Sequence, residues 1–176
     1  MRLNAKQLRV LVPSEEELAK ISRRPIWLVL DNVLDTYNIG GLFRLAEAVG
    51  VTEIILCGGT ESPPSSRIHK AAVGTEKWVP WRYEKEIKTA LIELKKKEPK
   101  IKIVAVEQDT RAVPLTELSK VSVANQPVAI VVGHETDGVS QEALKMANMI
   151  VEIPMWGVNK SLNVHVSAAI VLYKLL

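Results

Sequence analysis

Three separated segments set polar side chains beside glycine or proline at the ends of apolar runs. They are Asn38-Ile39-Gly40-Gly41-Leu42-Phe43-Arg44, then Gly133-His134-Glu135-Thr136-Asp137-Gly138, then Ile153-Pro154-Met155 running on to Ser161-Leu162-Asn163-Val164. In the first, an amide, two glycines and a guanidinium at the start of a helical pattern could converge on phosphate, because helix N-termini and arginine both favour anions. The plainer reading is a helix capped by Asn38 that carries a surface arginine. In the second, the glycines have phosphate-loop spacing, but Val139 stands where that motif needs lysine, so a nucleotide triphosphatase is disfavoured. Glu135 is either a functional carboxylate at a strand end or a polar loop residue. In the third, Ser161 could cap the last helix, while Asn163 places an amide inside an apolar helical stretch, where an unpaired polar group would be costly.

Other chemistries lack their residues. No G-x-G-x-x-G follows the first strand-like run, so a dinucleotide dehydrogenase is missing its turn. No G-x-S-x-G elbow is present. His69, His134 and His165 have no metal-ligand spacing, and no metal is assigned.

The elements that must position these segments alternate. Apolar runs at Ile26 to Leu30, Glu53 to Cys57, Ile101 to Val106, Val128 to Val132 and Met149 to Ile153 read as buried strands. Helical patterns near 39 to 49, 84 to 97, 140 to 147 and 161 to 175 separate most of them. That order predicts an α/β fold with a mainly parallel sheet flanked by helices. Gly58 to Ser66, with its proline pair, reads as the plainest loop. The last helix is apolar around most of its circumference and predicts a homodimer interface.

Composition sets wide bounds. The 176 residues suit one domain, and a net charge of +3 with pI near 9.0 permits a polyanionic partner without demanding one. The single cysteine, Cys57, lies in an apolar run and predicts a small buried side chain. Neither a signal peptide nor a membrane span is visible, so a cytoplasmic protein is expected. The tryptophans Trp27, Trp78 and Trp81 read as packing residues.

Taken together and in this order, the three segments closely resemble the motifs of the SpoU (TrmH-like) branch of the SPOUT methyltransferases, over roughly residues 26 to 176. The resemblance implies a C-terminal deep trefoil knot, which general topology rules would not suggest. It implies S-adenosyl-L-methionine as methyl donor and a ribose 2'-hydroxyl of tRNA or rRNA as acceptor. Its catalytic set maps to Asn38, Arg44, Glu135, Ser161 and Asn163. Its cofactor loops map to Leu56, Cys57 and Gly58, to Val132, Gly133 and Gly138, and to Ile153, Met155, Ser161 and Leu162. Arg44 is implied at the acceptor hydroxyl, and because guanidinium stays protonated its expected task is to stabilise the alkoxide and orient phosphate. Two positions depart from the pattern. His165 stands where many relatives have a small residue such as serine, and Trp156 occupies a variable loop position, so neither is assigned catalysis. Residues 1 to 25 read as an N-terminal extension to a methyltransferase domain at 26 to 176. Arg23, Arg24, Arg67, His69 and Lys70 are the candidate RNA contacts. The competing reading is a noncatalytic RNA-binding protein on the same fold.

Overall fold

The computed structural model describes residues 3 to 120 and 126 to 176. Its central strand, β1 (Arg24–Asp31), shows how the fold is organised. Ile26 through Leu30 are buried on both faces, as a parallel strand between helical layers requires. Ile26, Leu28 and Leu30 join one core, and Trp27 and Val29 join the other. Truncating Leu28 to alanine in such a core would cost about 2–5 kcal/mol.

β1 pairs in parallel with β2 (Val51–Cys57) and with β6 (Val128–Gly133), Leu28 lying opposite Ile54 and Ile130. Beyond them come β3 (Trp81–Glu84), β4 (Lys102–Val106), β7 (Met149–Glu152) and the two-residue β5 (Val113–Pro114). The seven-stranded order is β3-β2-β1-β6-β4-β7-β5, with every pairing parallel.

Helices cover both faces. α3 (Thr36–Val49), α4 (Ser66–Ala72) and α7 (Val164–Leu175) bury Leu42, Phe43, Ile68 and Val171 in the first core. α5 (Ile87–Lys97) and α6 (Gln141–Met146) bury Leu91, Leu94 and Leu144 in the second. Two short helices, α1 (Ala5–Val10) and α2 (Glu15–Ala19), precede β1 and are capped by Asn4 and Ser14. The mainly parallel α/β architecture is the one expected.

Several local expectations are corrected. The segment read as a loop to Ser66 ends in the cap of α4, whose Ser65 hydroxyl accepts from the Ile68 N–H. α3 starts two residues before Asn38, because the Asp35 carboxylate takes the Tyr37 N–H and so caps the helix. Asn38 is therefore a first-turn residue, and its side chain is free for other partners. Ser161 does not cap α7 either, because Asn163 occupies that position and makes no side-chain capping bond. Asn163 thus sits exposed at the helix entrance, outside the apolar interior. Among the described residues, no helix is long and apolar enough to cross a membrane.

Candidate active site

The carboxyl ends of β4, β6 and β7 are adjacent in the sheet, and the loops leaving them enclose a cleft of about 330 Å³. Strand ends are where open α/β sheets place ligands, and the volume is in the range of small-molecule sites. Gly133 through Gly138 form one wall. His134 and Gly138 exchange both backbone hydrogen bonds at 3.0 Å, and His134 Nδ1 accepts from the Thr136 and Asp137 N–H groups. Ile153, Met155, Lys160, Ser161 and Leu162 form the opposite wall. Ser161, on the cleft wall, donates both its N–H and its hydroxyl to Asn159 Oδ1, at 3.1 and 3.3 Å.

The third wall comes from Val106, Glu107 and Gln108 at the end of β4, which sequence reasoning missed. The family resemblance implies Leu56, Cys57 and Gly58 instead, and none of these lines the cleft. The cause is strand order: β1 separates β2 from β6, whereas β4 lies directly between β6 and β7. Cys57 is fully buried, and burial pushes its thiol up to about 12. Glu107 clamps the glycine loop, its Oε2 accepting from the Val139 N–H at 2.7 Å. An acidic residue at the end of an apolar strand was the signal available. The other residues that the resemblance assigns to the cofactor, Val132, Gly133, Gly138, Ile153, Met155, Ser161 and Leu162, line the cleft.

On the other side of α7's first turn, Tyr37, Gly41, Arg44, Leu45, Ala71 and His165 line a second pocket of about 280 Å³. Arg44 is exposed there and, among the described residues, makes no side-chain hydrogen bond or ion pair. Gly40 permits this arrangement because a Cβ would stand 2.4 Å from Ala71 Cβ, so α4 could not approach.

Glu135 and Asn38 connect the two pockets. Glu135 accepts from the Leu34 N–H at 3.1 Å, the Asp35 N–H at 3.0 Å and Asn38 Nδ2 at 2.9 Å. It therefore places a negative charge at the N-terminus of α3, where the helix dipole favours it. Partial burial works against that charge, but the bonds from Asn38, Leu34 and Asp35 outweigh it, and the pKa lies below the ordinary carboxylate value. Asn38 is 3% exposed, and both ends of its amide are satisfied, the other by His165 Nδ1 at 2.9 Å.

The residues assigned to RNA are dispersed. Arg24, Arg67 and Lys70 are exposed, and Arg67 pairs with Glu61. Arg23 is half-buried and donates to the carbonyls of Val51 and Trp78, which makes it a tie between β2 and the segment before β3. His69 contacts Glu76 through Nδ1.

The fold and cleft define an α/β protein with a cleft of small-molecule size over its strand ends, beside a pocket that presents an arginine. Comparison with known proteins makes this specific. The SpoU rRNA Methylase family matches residues 25–173. A tRNA (guanosine(18)-2'-O)-methyltransferase of Thermus thermophilus is 31% identical over 159 residues, 90% of this chain and 78% of that one. The solved TrmH/SpoU tRNA modifying enzyme of A. aeolicus superposes with a TM-score of 0.76 at 28% identity, over 97% of this chain and 80% of that one. An rRNA methyltransferase of Sinorhizobium meliloti, solved with AdoMet bound, gives 0.77 at 26% identity, over 96% of this chain and 59% of that one. The chain belongs to the SpoU rRNA Methylase family.

Proposed function

We propose that this protein transfers a methyl group from S-adenosylmethionine to a ribose 2'-hydroxyl of tRNA or rRNA. The observation that carries the reading is the cleft over β4, β6 and β7, tied through Glu135 and Asn38 to a pocket that presents Arg44.

The cleft fits the donor's chemistry. Val106, Val132, Ile153, Met155 and Leu162 supply apolar walls, and Glu107, Glu135 and Asp137 supply negative charge for a cationic ligand. The bound donor supplies an electrophilic methyl group on a sulfonium. The protein's own residues then have to bind and align the acceptor. Arg44 holds an RNA phosphate and stabilises the alkoxide that develops on the acceptor oxygen. Asn38 and Glu135 fix the pocket's geometry through the entrance to α3. Ser161 lines the donor side, and Asn163 stands exposed where the cleft wall meets α7.

The assembly belongs to the same proposal. Val164, Val166, Ala169 and Ile170 of α7 are only half-buried, and Tyr173 and Leu176 are 60% and 48% exposed. A second copy packed there as a homodimer would cover this apolar surface and bring further side chains to the site. The trefoil-knotted path is also part of the reading, and it is consistent with α7 returning from β7 to pack on α3 and β6. So are the division into an extension at 1 to 25 and a catalytic domain, and a cytoplasmic location.

Calorimetric titration with S-adenosylmethionine tests the proposal. Saturable one-site binding is expected. RNA binding without any donor binding would favour the noncatalytic alternative.

A further inference from the structure

The neighbours of His165 dictate which of its ring nitrogens carries the proton. Glu135 is held as a carboxylate and can only accept, so Asn38 must turn its amide nitrogen toward it. Asn38 Oδ1 is then the atom that faces His165 Nδ1 at 2.9 Å, and a carbonyl oxygen also only accepts. Neutral His165 therefore carries its proton on Nδ1 and keeps a lone pair on Nε2.

The ring is also held in place. A Cβ at residue 41 would stand 2.9 Å from His165 Cγ, so Gly41 makes the seat, and Tyr37 meets the ring edge-on with centroids 5.5 Å apart. Asp35, Tyr37 and Arg44 face it from α3 and its cap, with Glu135 beyond Asn38. From α4, only Ala71 lines the pocket. Burial and Arg44 favour the uncharged ring, and Asp35 opposes them. The net pKa lies below the ordinary histidine value.

A lone pair beside a guanidinium sorts its ligands by chemistry. Arg44 attracts phosphate, whereas a neutral Nε2 repels an anion's oxygens and accepts from a hydroxyl. Resting on the reading of this site as a ribose methyltransferase, we infer that His165 is a catalytic residue whose Nε2 takes the proton of the target 2'-hydroxyl while Arg44 holds the neighbouring phosphate. As the ribose oxygen gains its bond to the methyl carbon, the carbon–sulfur electron pair stays with sulfur and the O–H proton passes to Nε2. The imidazolium then returns that proton to water. Arg44 cannot take the proton itself, because a guanidinium is never deprotonated at neutral pH.

His165→Asn and His165→Gln test the inference. Asparagine can still donate to Asn38 but lacks Nε2, and glutamine reaches further but is not basic. In each, kcat is expected to fall by about 100-fold or more, the general-base range. The KM for RNA and the affinity for S-adenosylmethionine should change less than about twofold, because the inference gives the phosphate to Arg44 and the donor to the cleft, which His165 does not line. The acid limb of the wild-type pH profile should vanish in both variants. Nitrogen-15 NMR of the donor-free wild type should show His165 protonated on Nδ1 alone at neutral pH, its signals identified among the three histidines by their loss in His165→Asn.

A proton on Nε2, wild-type kcat in both variants, or a loss confined to KM would each overturn the role. Should the wild type bind donor and RNA yet transfer no methyl group, the methyltransferase reading itself would fail, and the NMR would still decide the tautomer.

Discussion

The loop from Gly133 to Gly138 and the pocket between α3 and α7 build their halves of the site by different means. The loop's shape comes mainly from its own backbone, closed by paired hydrogen bonds between His134 and Gly138, with the side chains of His134 and Glu107 accepting from its N–H groups. The pocket exists only because tertiary packing brings Asn38, Glu135 and His165 together from three distant stretches of chain. A backbone-built site should be sensitive to an added atom and tolerant of side-chain chemistry. A side-chain-built site should behave the opposite way.

The largest effect is expected at the pocket. Arg44→Ala should lower methyl transfer by about 100-fold or more, the scale of removing one oxyanion donor, while leaving donor affinity intact. A variant that lost both together would break the separation of the halves.

Next comes Gly133→Ala. The added Cβ would stand 2.2 Å from the carbonyl carbon of Gly138 and 2.3 Å from the Val139 nitrogen, both backbone atoms that cannot swing aside. Donor affinity should fall by about tenfold or more in calorimetry. Binding within twofold of wild type would mean that the loop does not shape the cleft.

Glu135→Gln is expected to act more mildly. Its folded pKa lies below the ordinary value of 4.5, so the carboxylate's contribution is fully present above that pH and is lost as pH falls through the folded value. The three bonds are partly solvent-screened and should contribute about 1 kcal/mol, or roughly 2–4 °C in Tm for a domain of this size. Thermal melts should show wild type and variant differing at pH 7 and converging under acid. A difference that widened on acidification would reverse the sign and refute the assignment.

The smallest effect is expected at the surface. Lys70→Glu with Arg67→Glu should weaken RNA binding a few-fold at low salt, with less effect at high salt and none on donor affinity.

The two regions also differ in how far they could be read in advance. The glycine loop and the proline-shaped wall were visible because Gly133, Gly138 and Pro154 leave local signatures at strand ends. The apolar runs likewise marked β1, β2, β4, β6 and β7, since a strand buried on both faces has nowhere to put polar side chains. β3 and β5 escaped because one is a four-residue polar edge strand and the other only two residues long. Which strand ends meet at the cleft depends on lateral order, so nothing local distinguishes Leu56, Cys57 and Gly58 from Val106, Glu107 and Gln108, which line it. Asn38 and Ser161 were read as caps because the local rule favours their side chains there. Asp35 and a cap without a side-chain bond at Asn163 took those positions instead. His165 carried no local signal at all, because its neighbours come from other parts of the chain.

Mass-spectrometric mapping of 2'-O-methylribose in tRNA and rRNA treated with S-adenosylmethionine and either wild type or Arg44→Ala tests the account most directly. It predicts a new methylated ribose with the wild type and its near absence with the variant. No new site with a wild type that binds the donor, or equal methylation by both proteins, would contradict it.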